Sequence, residues 1–159
     1  MAHRDRDASG RPRSARPRDA LGRPLVRGSL GIPAVPDDLA LGPADTLAYA
    51  QELLDRGLAF NAHEVLEAAW KHGPPGERGL WQGLTQLAVG ITHVQRGNVT
   101  GAMSLLRSAS TRLAHDHRPA PHGVDVAGLV EFADALIEDL KAGAAIPPER
   151  LRPRLVRAG

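Results

Sequence analysis

The 159-residue sequence contains no cysteine, only two lysines and few aromatic residues. The absence of cysteine excludes disulfide frameworks, thiol nucleophiles and cysteine-ligated zinc or iron–sulfur sites. Aromatic residues make up 3% of a chain that is 42% hydrophobic, so we expect one domain with an aliphatic core. Apolar runs are far shorter than the roughly 20 residues that a membrane-spanning helix needs, and the first residues are charged. These absences predict a cytoplasmic protein with neither a membrane-spanning helix nor a signal peptide, and no membrane partner.

Positive charge is concentrated near the N-terminus. Residues 1–27 contain eight of the 18 arginines and three aspartates, whereas the rest of the chain has 12 basic and 15 acidic residues. Six prolines interrupt residues 1–43 and hydrophobic periodicity is weak there, so we expect a basic arm that is irregular or disordered. Such an arm is compatible with nucleic-acid binding, but a solubilising extension is favoured.

Helical periodicity dominates the rest of the chain. Between Ala44 and Arg118 the only prolines are Pro74 and Pro75, which mark a turn. No segment has the alternation of a strand, so we predict an all-α class: a compact bundle of about five mostly antiparallel helices over 44–143. A Pro/Arg-rich tail follows at 144–159. The predicted helices are 44–56, 58–72, one from about Glu77 to Gly97, one capped by Asn98, and one capped by Asp125 and ended by Gly143.

The segment from Phe60 to Trp70 places ionisable groups at apparent core positions. At 100° per residue, Phe60, His63, Glu67 and Trp70 share the face that a helix normally turns to its core, with Glu64 at its edge. An unpaired buried carboxylate costs several kcal/mol. His63 and Glu67 must therefore pair, find polar partners or face a cleft.

The third predicted helix supplies suitable polar side chains. Gln82, Gln86 and His93 lie within a narrow arc opposite the leucine stripe, and Gly83 and Gly90 beside them allow another helix to approach closely. We predict that this arc faces the second helix across a polar pocket. The predicted pocket residues are His63, Glu64, Glu67, Trp70, Trp81, Gln82, Gln86 and His93.

These motifs resemble a known family. The pattern F-x-x-H-E-x-x-E-x-x-W at 60–70, then W-Q-G-L-x-Q-L-A at 81–88 and R-G-N-x-x-G-A at 96–102, is similar to the domain of unknown function 309 family. The resemblance covers about residues 44–115, and the Ile-Pro-Pro at 146–148 is also similar to the family. It implies a small all-α bundle but no reaction. The residues that match signature positions are His63, Glu64, Glu67, Trp70, Gln82 and Gln86.

Three interpretations of the predicted pocket stay open. The favoured one is a structural polar network that fixes helix packing. The second is a site for a divalent metal or a small polar ligand, with His63, Glu67 and His93 as candidate metal ligands. The third is a metal-assisted hydrolase in which Glu67 or Glu64 is a general base whose pKa is raised by burial. No catalytic residue is assigned, and the interpretations without a reaction are favoured.

A fourth interpretation is a protein-interaction module. The two helices from Leu80 to Ala114 are similar to one tetratricopeptide-type hairpin, which leaves a homo-oligomer or a protein partner open. The histidines at 115, 117 and 122 are expected to be solvated rather than to bind a metal with Asp116. No cofactor is predicted, although a divalent metal is compatible with the pocket.

Overall fold

The computed structural model describes residues 41–115 and 120–157, and the backbone of 5–6 and 12–13. Residues 41–115 and 120–157 are all-α, as the sequence predicts. Short 3₁₀ helices lie at Pro75–Glu77, Pro121–Gly123 and Pro148–Leu151. The five α-helices are α1 (Pro43–Asp55), α2 (Ala59–His72), α3 (Arg78–Gln95), α4 (Val99–Ala114) and α5 (Val126–Lys141).

Helix ends follow local chemistry. The side chain of Asn98 accepts a hydrogen bond from the backbone N–H of Gly101, and Asp125 accepts one from Gly128, so both predicted caps are confirmed. Gly97, just after α3, has φ of 77°, a left-handed conformation that glycine adopts at low cost. These signals explain why the predicted and observed helices agree to within a few residues.

The contact between α3 and α4 depends on two glycines. A Cβ atom built on Gly83 would lie 2.8 Å from Cδ2 of Leu113, and one on Gly90 would lie 2.9 Å from Cδ2 of Leu106. Leucines of α4 therefore occupy the space that larger residues on α3 would need. The predicted close approach of another helix to these glycines is confirmed.

The helices pack in chain order. The extensive contacts join α1 to α2, α2 to α3, α3 to α4 and α4 to α5. The core between them is aliphatic apart from Trp81, and its largest fully buried members include Leu47, Leu66, Leu84 and Leu106. Successive helices joined by short connections lie antiparallel. Four helix ends therefore lie at the same end of the bundle: the end of α2, the start of α3, the end of α4 and the start of α5.

The segment after α5 returns to α1. The backbone N–H of Leu155 donates to Oε1 of Gln51 at 2.9 Å, and Nε2 of Gln51 donates to the carbonyl of Pro153 at 3.0 Å. Leu151 and Leu155 are both buried in the common core. The Pro/Arg-rich stretch predicted as a tail thus contributes core side chains and connects α1 with the start of α5, where Asp125 N–H donates to the carbonyl of Leu155.

Two short strands precede the helices. They are β1 (Asp5–Arg6) and β2 (Pro12–Arg13), which pair antiparallel. Two-residue strands are too short to show the alternation by which a strand is recognised in sequence. Apart from these strands, residues 1–40 of the arm predicted over 1–43 lie outside the described residues. Among the described helices, none combines the length and apolar character required to cross a membrane.

We predict opposite effects of alanine at two glycines of α3. Gly90→Ala forces a Cβ against Leu106 and should lower the free energy of unfolding by about 1–3 kcal/mol. A Cβ on Gly79 would meet nothing within 4 Å. Gly79→Ala should therefore raise the free energy of unfolding by about 0.5 kcal/mol, because alanine favours helix. Urea denaturation of both variants measures the difference. Equal stability of the two variants would show that α4 does not lie against the Gly90 position.

Candidate functional site

The ionisable residues of α2 form a row along one face of the helix, which we call the α2 row (His63, Glu67 and Lys71). Nδ1 of His63 lies 2.5 Å from the carbonyl oxygen of Phe60, and Nε2 lies 3.4 Å from Oε2 of Glu67. Nζ of Lys71 lies 2.9 Å from Oε1 of Glu67. Four-residue spacing brings these side chains together one helical turn apart. Each nitrogen of His63 and each carboxylate oxygen of Glu67 therefore has a partner within α2.

The α2 row has an electrostatic consequence for Glu67. The hydrogen bond from His63, reinforced by Lys71, lowers the pKa of Glu67 from 4.5 to about 2 although burial opposes the shift. The expectation that burial raises the pKa of this carboxyl group is therefore wrong. Two donors outweigh desolvation because the carboxylate is only partly buried.

The face of α2 that carries Phe60, His63, Glu67 and Trp70, which we call the signature face, is only half-buried. Phe60, His63, Glu67 and Trp70 all keep part of their surface exposed, whereas Leu66 on another face is fully buried. The prediction that these four residues occupy the core face is wrong, because smaller aliphatic residues fill that position instead. Those residues are Ala59, Ala62, Val65 and Leu66.

The ring of Phe60, at the start of this face, contacts His63 and Arg96. The rings of Phe60 and His63 lie 4.8 Å apart between centroids, tilted by 56°. The Arg96 guanidinium lies 5.7 Å from the Phe60 centroid, within the range of a cation–π interaction. The signature face therefore joins the start of α2 to the end of α3. Glu64, next to His63, is half-buried.

The polar side chains of α3 have partners on α4. Nε of Arg112 donates to Oε1 of Gln86 at 3.3 Å, and Nδ1 of His93 lies 3.2 Å from Nδ2 of Asn98. Gln82 is half-buried one turn before Gln86. From Trp81 to His93 the α3 axis rises about 18 Å. The predicted pocket residues are thus spread along the bundle, with Gln86 and His93 directed to α4 and its cap.

The described residues contain no group of three or more histidines, aspartates or glutamates arranged to hold a metal ion. His63 and Glu67 supply two neighbouring candidate ligands, whereas His93 is engaged at the α4 cap.

A second cluster lies at the other end of α3, which we call the Glu77 cluster (Glu77, Trp81 and His122). Oε1 of Glu77 accepts a hydrogen bond from Nε1 of Trp81 at 3.2 Å and lies 2.8 Å from Nε2 of His122. The His122 contact, aided by the one from Trp81, lowers the pKa of Glu77. His122 has φ of 63°, a left-handed conformation that is uncommon outside glycine.

The Glu77 cluster was not predicted from sequence. The four-residue spacing of Glu77 and Trp81 was an available signal, but His122 is 45 residues away from Glu77. The sequence predicts that His122 is solvated rather than metal-bound; His122 is exposed, and its imidazole also contacts Glu77, a partner that the sequence does not indicate. His115 is exposed, as expected, while Asp116 and His117 lie outside the described residues.

Two clefts adjoin the Glu77 cluster. One of about 660 Å³ lies beside the start of α1 and the end of α2, with Trp81 in its wall. The other, of about 790 Å³, lies between the start of α3, the second half of α4 and the segment that leads into α5. We call the larger one the α4 cleft. Its wall consists of Gly76, Glu77, Gly79, Leu80, Arg107, Ser108, Thr111, Arg112, Leu113, His115, Ala120, Pro121 and Val126.

Comparison with known proteins supports the family resemblance. Residues 47–105 match the family model described as Domain of unknown function (DUF309). The resemblance to the DUF309 family is confirmed. A curated relative, Uncharacterized protein YpuF of Bacillus subtilis (strain 168), is 35% identical over 88 residues, which are 54% of this chain and 51% of the relative. The chain thus spans about half the length of this relative, and no solved structure gives a significant match.

The DUF309 match covers α2 and α3 entirely, with most of α1 and the first part of α4. The α2 row lies inside it. Arg107, Arg112 and His115 in the wall of the α4 cleft lie beyond its last residue. Neither the family's description nor the relative's name states a reaction, so the comparisons assign none to this chain.

We predict that Glu67 stabilises the fold in a pH-dependent way. Because folding lowers the pKa of Glu67, its contribution is complete above pH 4.5 and is lost as the pH falls towards about 2. Glu67→Gln should lower the free energy of unfolding at pH 5 by about 0.2–1 kcal/mol, the range of partly exposed ion pairs. Denaturation of both proteins across this pH range measures the effect.

The matched control is the same substitution in a His63→Gln background. In that background, Glu67→Gln should cause a smaller pH-dependent loss of unfolding free energy, because the principal donor to the carboxylate is already absent. A loss of the same size in both backgrounds would contradict the role assigned to His63.

We predict that glycine is tolerated better than alanine at position 122. Both substitutions remove the imidazole, so both should raise the pKa of Glu77 towards its ordinary value. His122→Ala also leaves a Cβ on left-handed backbone and should be less stable than His122→Gly by about 1 kcal/mol. Carboxyl NMR titration and thermal unfolding measure the two effects. Equal stability of the variants would contradict the left-handed conformation.

Proposed function

We propose that this protein is a non-enzymatic helical binding domain in which the α2 row is a structural network. One observation carries the structural role of the α2 row: both nitrogens of His63 and both carboxylate oxygens of Glu67 are engaged within α2. Such a network orients side chains and fixes the helix surface without requiring a ligand. The binding function would then be carried by another surface of the domain.

The electrostatics of Glu67 support a role without proton transfer. A general base is most effective when its pKa lies near the operating pH. The pKa of Glu67 is about 2, so its carboxylate is a weak base at neutral pH. This favours an ion-pair role for Glu67 over a hydrolase mechanism.

A divalent metal site is the second candidate, and one contact favours it. Metal-binding histidines commonly donate their other ring N–H to a backbone carbonyl, as Nδ1 of His63 is placed to do towards Phe60. Nε2 would then bind the ion beside Glu67. Lys71 opposes this candidate because its ammonium group lies 2.9 Å from the same carboxylate.

We propose a cytoplasmic location, which agrees with the composition. The proposed partner is a small molecule, a protein or a second copy of this chain. Nucleic-acid binding by the basic arm is the less favoured alternative.

The deciding experiment compares the parent protein with His63→Ala/Glu67→Ala. The structural role predicts that the parent purifies without stoichiometric metal, and that the variant loses about 1 kcal/mol of stability. Elemental analysis and thermal melts across a panel of divalent metals measure both. The matched control is Glu131→Ala, which removes an exposed carboxylate of α5 and should leave the melting temperature nearly unchanged.

Two results would favour the metal site instead. One is near-stoichiometric metal in the parent that the double variant lacks. The other is a metal-dependent rise in the melting temperature of the parent alone.

A further inference from the structure

We propose that the α4 cleft binds a small organic anion, one that carries a phosphate or carboxylate group on an apolar body. The inference rests on the proposed binding function and gives it a site and a ligand class. The cleft volume of about 790 Å³ lies within the range of small-molecule sites, about 300–1,000 Å³. Its wall combines charged and hydroxyl side chains with apolar ones, which is the usual composition of such sites.

The charged part of the wall comes from α4. Arg107 and Ser108 are followed three to five residues later by Thr111 and Arg112, and all four residues line the same cleft. All four side chains belong to exposed residues, so they are accessible to a solute. Guanidinium and hydroxyl groups are donors that suit phosphate and carboxylate oxygens.

These arginines lack neutralising partners among the described residues. Arg107 makes no ion pair there, and the contact of Arg112 is with the neutral amide of Gln86 through Nε. Glu77, the one carboxylate among the described residues of the wall, is engaged by His122 and Trp81. Among the described residues, the wall therefore presents arginines without a paired carboxylate, whose positive charge an anionic ligand would neutralise.

The apolar part of the wall determines which anions fit. Leu80, Leu113 and Val126 line the same cleft as the charged groups of α4. A free inorganic ion would leave this surface in contact with water, whereas an apolar body would bury it. An amphipathic anion is therefore favoured over inorganic phosphate.

The Glu77 cluster positions one side of the cleft. His122 connects the segment before α5 to the start of α3 through Glu77, and its backbone is left-handed. Strained backbone of this kind is often found beside ligand sites. We assign Glu77 and His122 a positioning role.

The test is calorimetric titration of the full chain with defined probes. Benzyl phosphate and phenylacetate present the two anionic groups, inorganic phosphate lacks the apolar body, and benzyl alcohol lacks the charge. We expect at least one of the two organic anions to bind, and both other probes to bind at least tenfold more weakly. The comparison of the two organic anions identifies the preferred group.

Variants locate the site. Arg107→Gln and Arg112→Gln should each weaken binding by about tenfold, because each removes a charge-assisted contact. Ser108→Trp should abolish binding by filling the cleft from an exposed position. Arg56→Gln, an exposed arginine at the opposite end of the bundle, is the matched control and should bind like the parent.

Three results would overturn the inference: no binding of either organic anion, equal binding of inorganic phosphate, or unchanged affinity in both arginine variants. The His63→Ala/Glu67→Ala protein separates this failure from that of the proposed function. It should retain anion binding, because the α2 row takes no part in the cleft. If the parent contains metal that this variant lacks, while the variant still binds the anion, the structural role of the α2 row is overturned. The proposed anion site in the α4 cleft is then unaffected.

Discussion

The close approach of α4 to Gly83 and Gly90 of α3 is the constraint on which the rest of the structure depends. Because Leu106 and Leu113 occupy the space above these glycines, α3 and α4 share a tightly packed interface. α2 then packs on one side of this pair and α5 on the other. The segment around Leu155 completes the arrangement by joining α1 to the start of α5.

This packing separates two groups of ionisable residues. On α2, His63, Glu67 and Lys71 satisfy one another along a half-buried face, so their charges are balanced locally. On α4, Arg107 and Arg112 line an open cleft without an opposing carboxylate of their own among the described residues. Local balance suits a structural role, whereas unbalanced charge beside apolar surface suits recognition.

The helices could be predicted from sequence because their signals are local. Apolar spacing, the Asn98 and Asp125 caps and the glycine at Gly97 each act within a few residues. The sites required tertiary information. A helical wheel does not show that Leu66 rather than Trp70 reaches the centre of the core, and nothing near His122 indicates a partner 45 residues away. Likewise, the proline-rich sequence around Leu155 does not indicate that this residue is buried.

We infer that the α2 row and the anion-binding surface are different parts of one domain. An amide chemical-shift map of the isotopically labelled protein, recorded during titration with benzyl phosphate, distinguishes the two surfaces. We expect changes concentrated at residues 76–80 and 107–115, with the amides of 60–67 unaffected. Changes centred on His63 and Glu67 instead would contradict this inference.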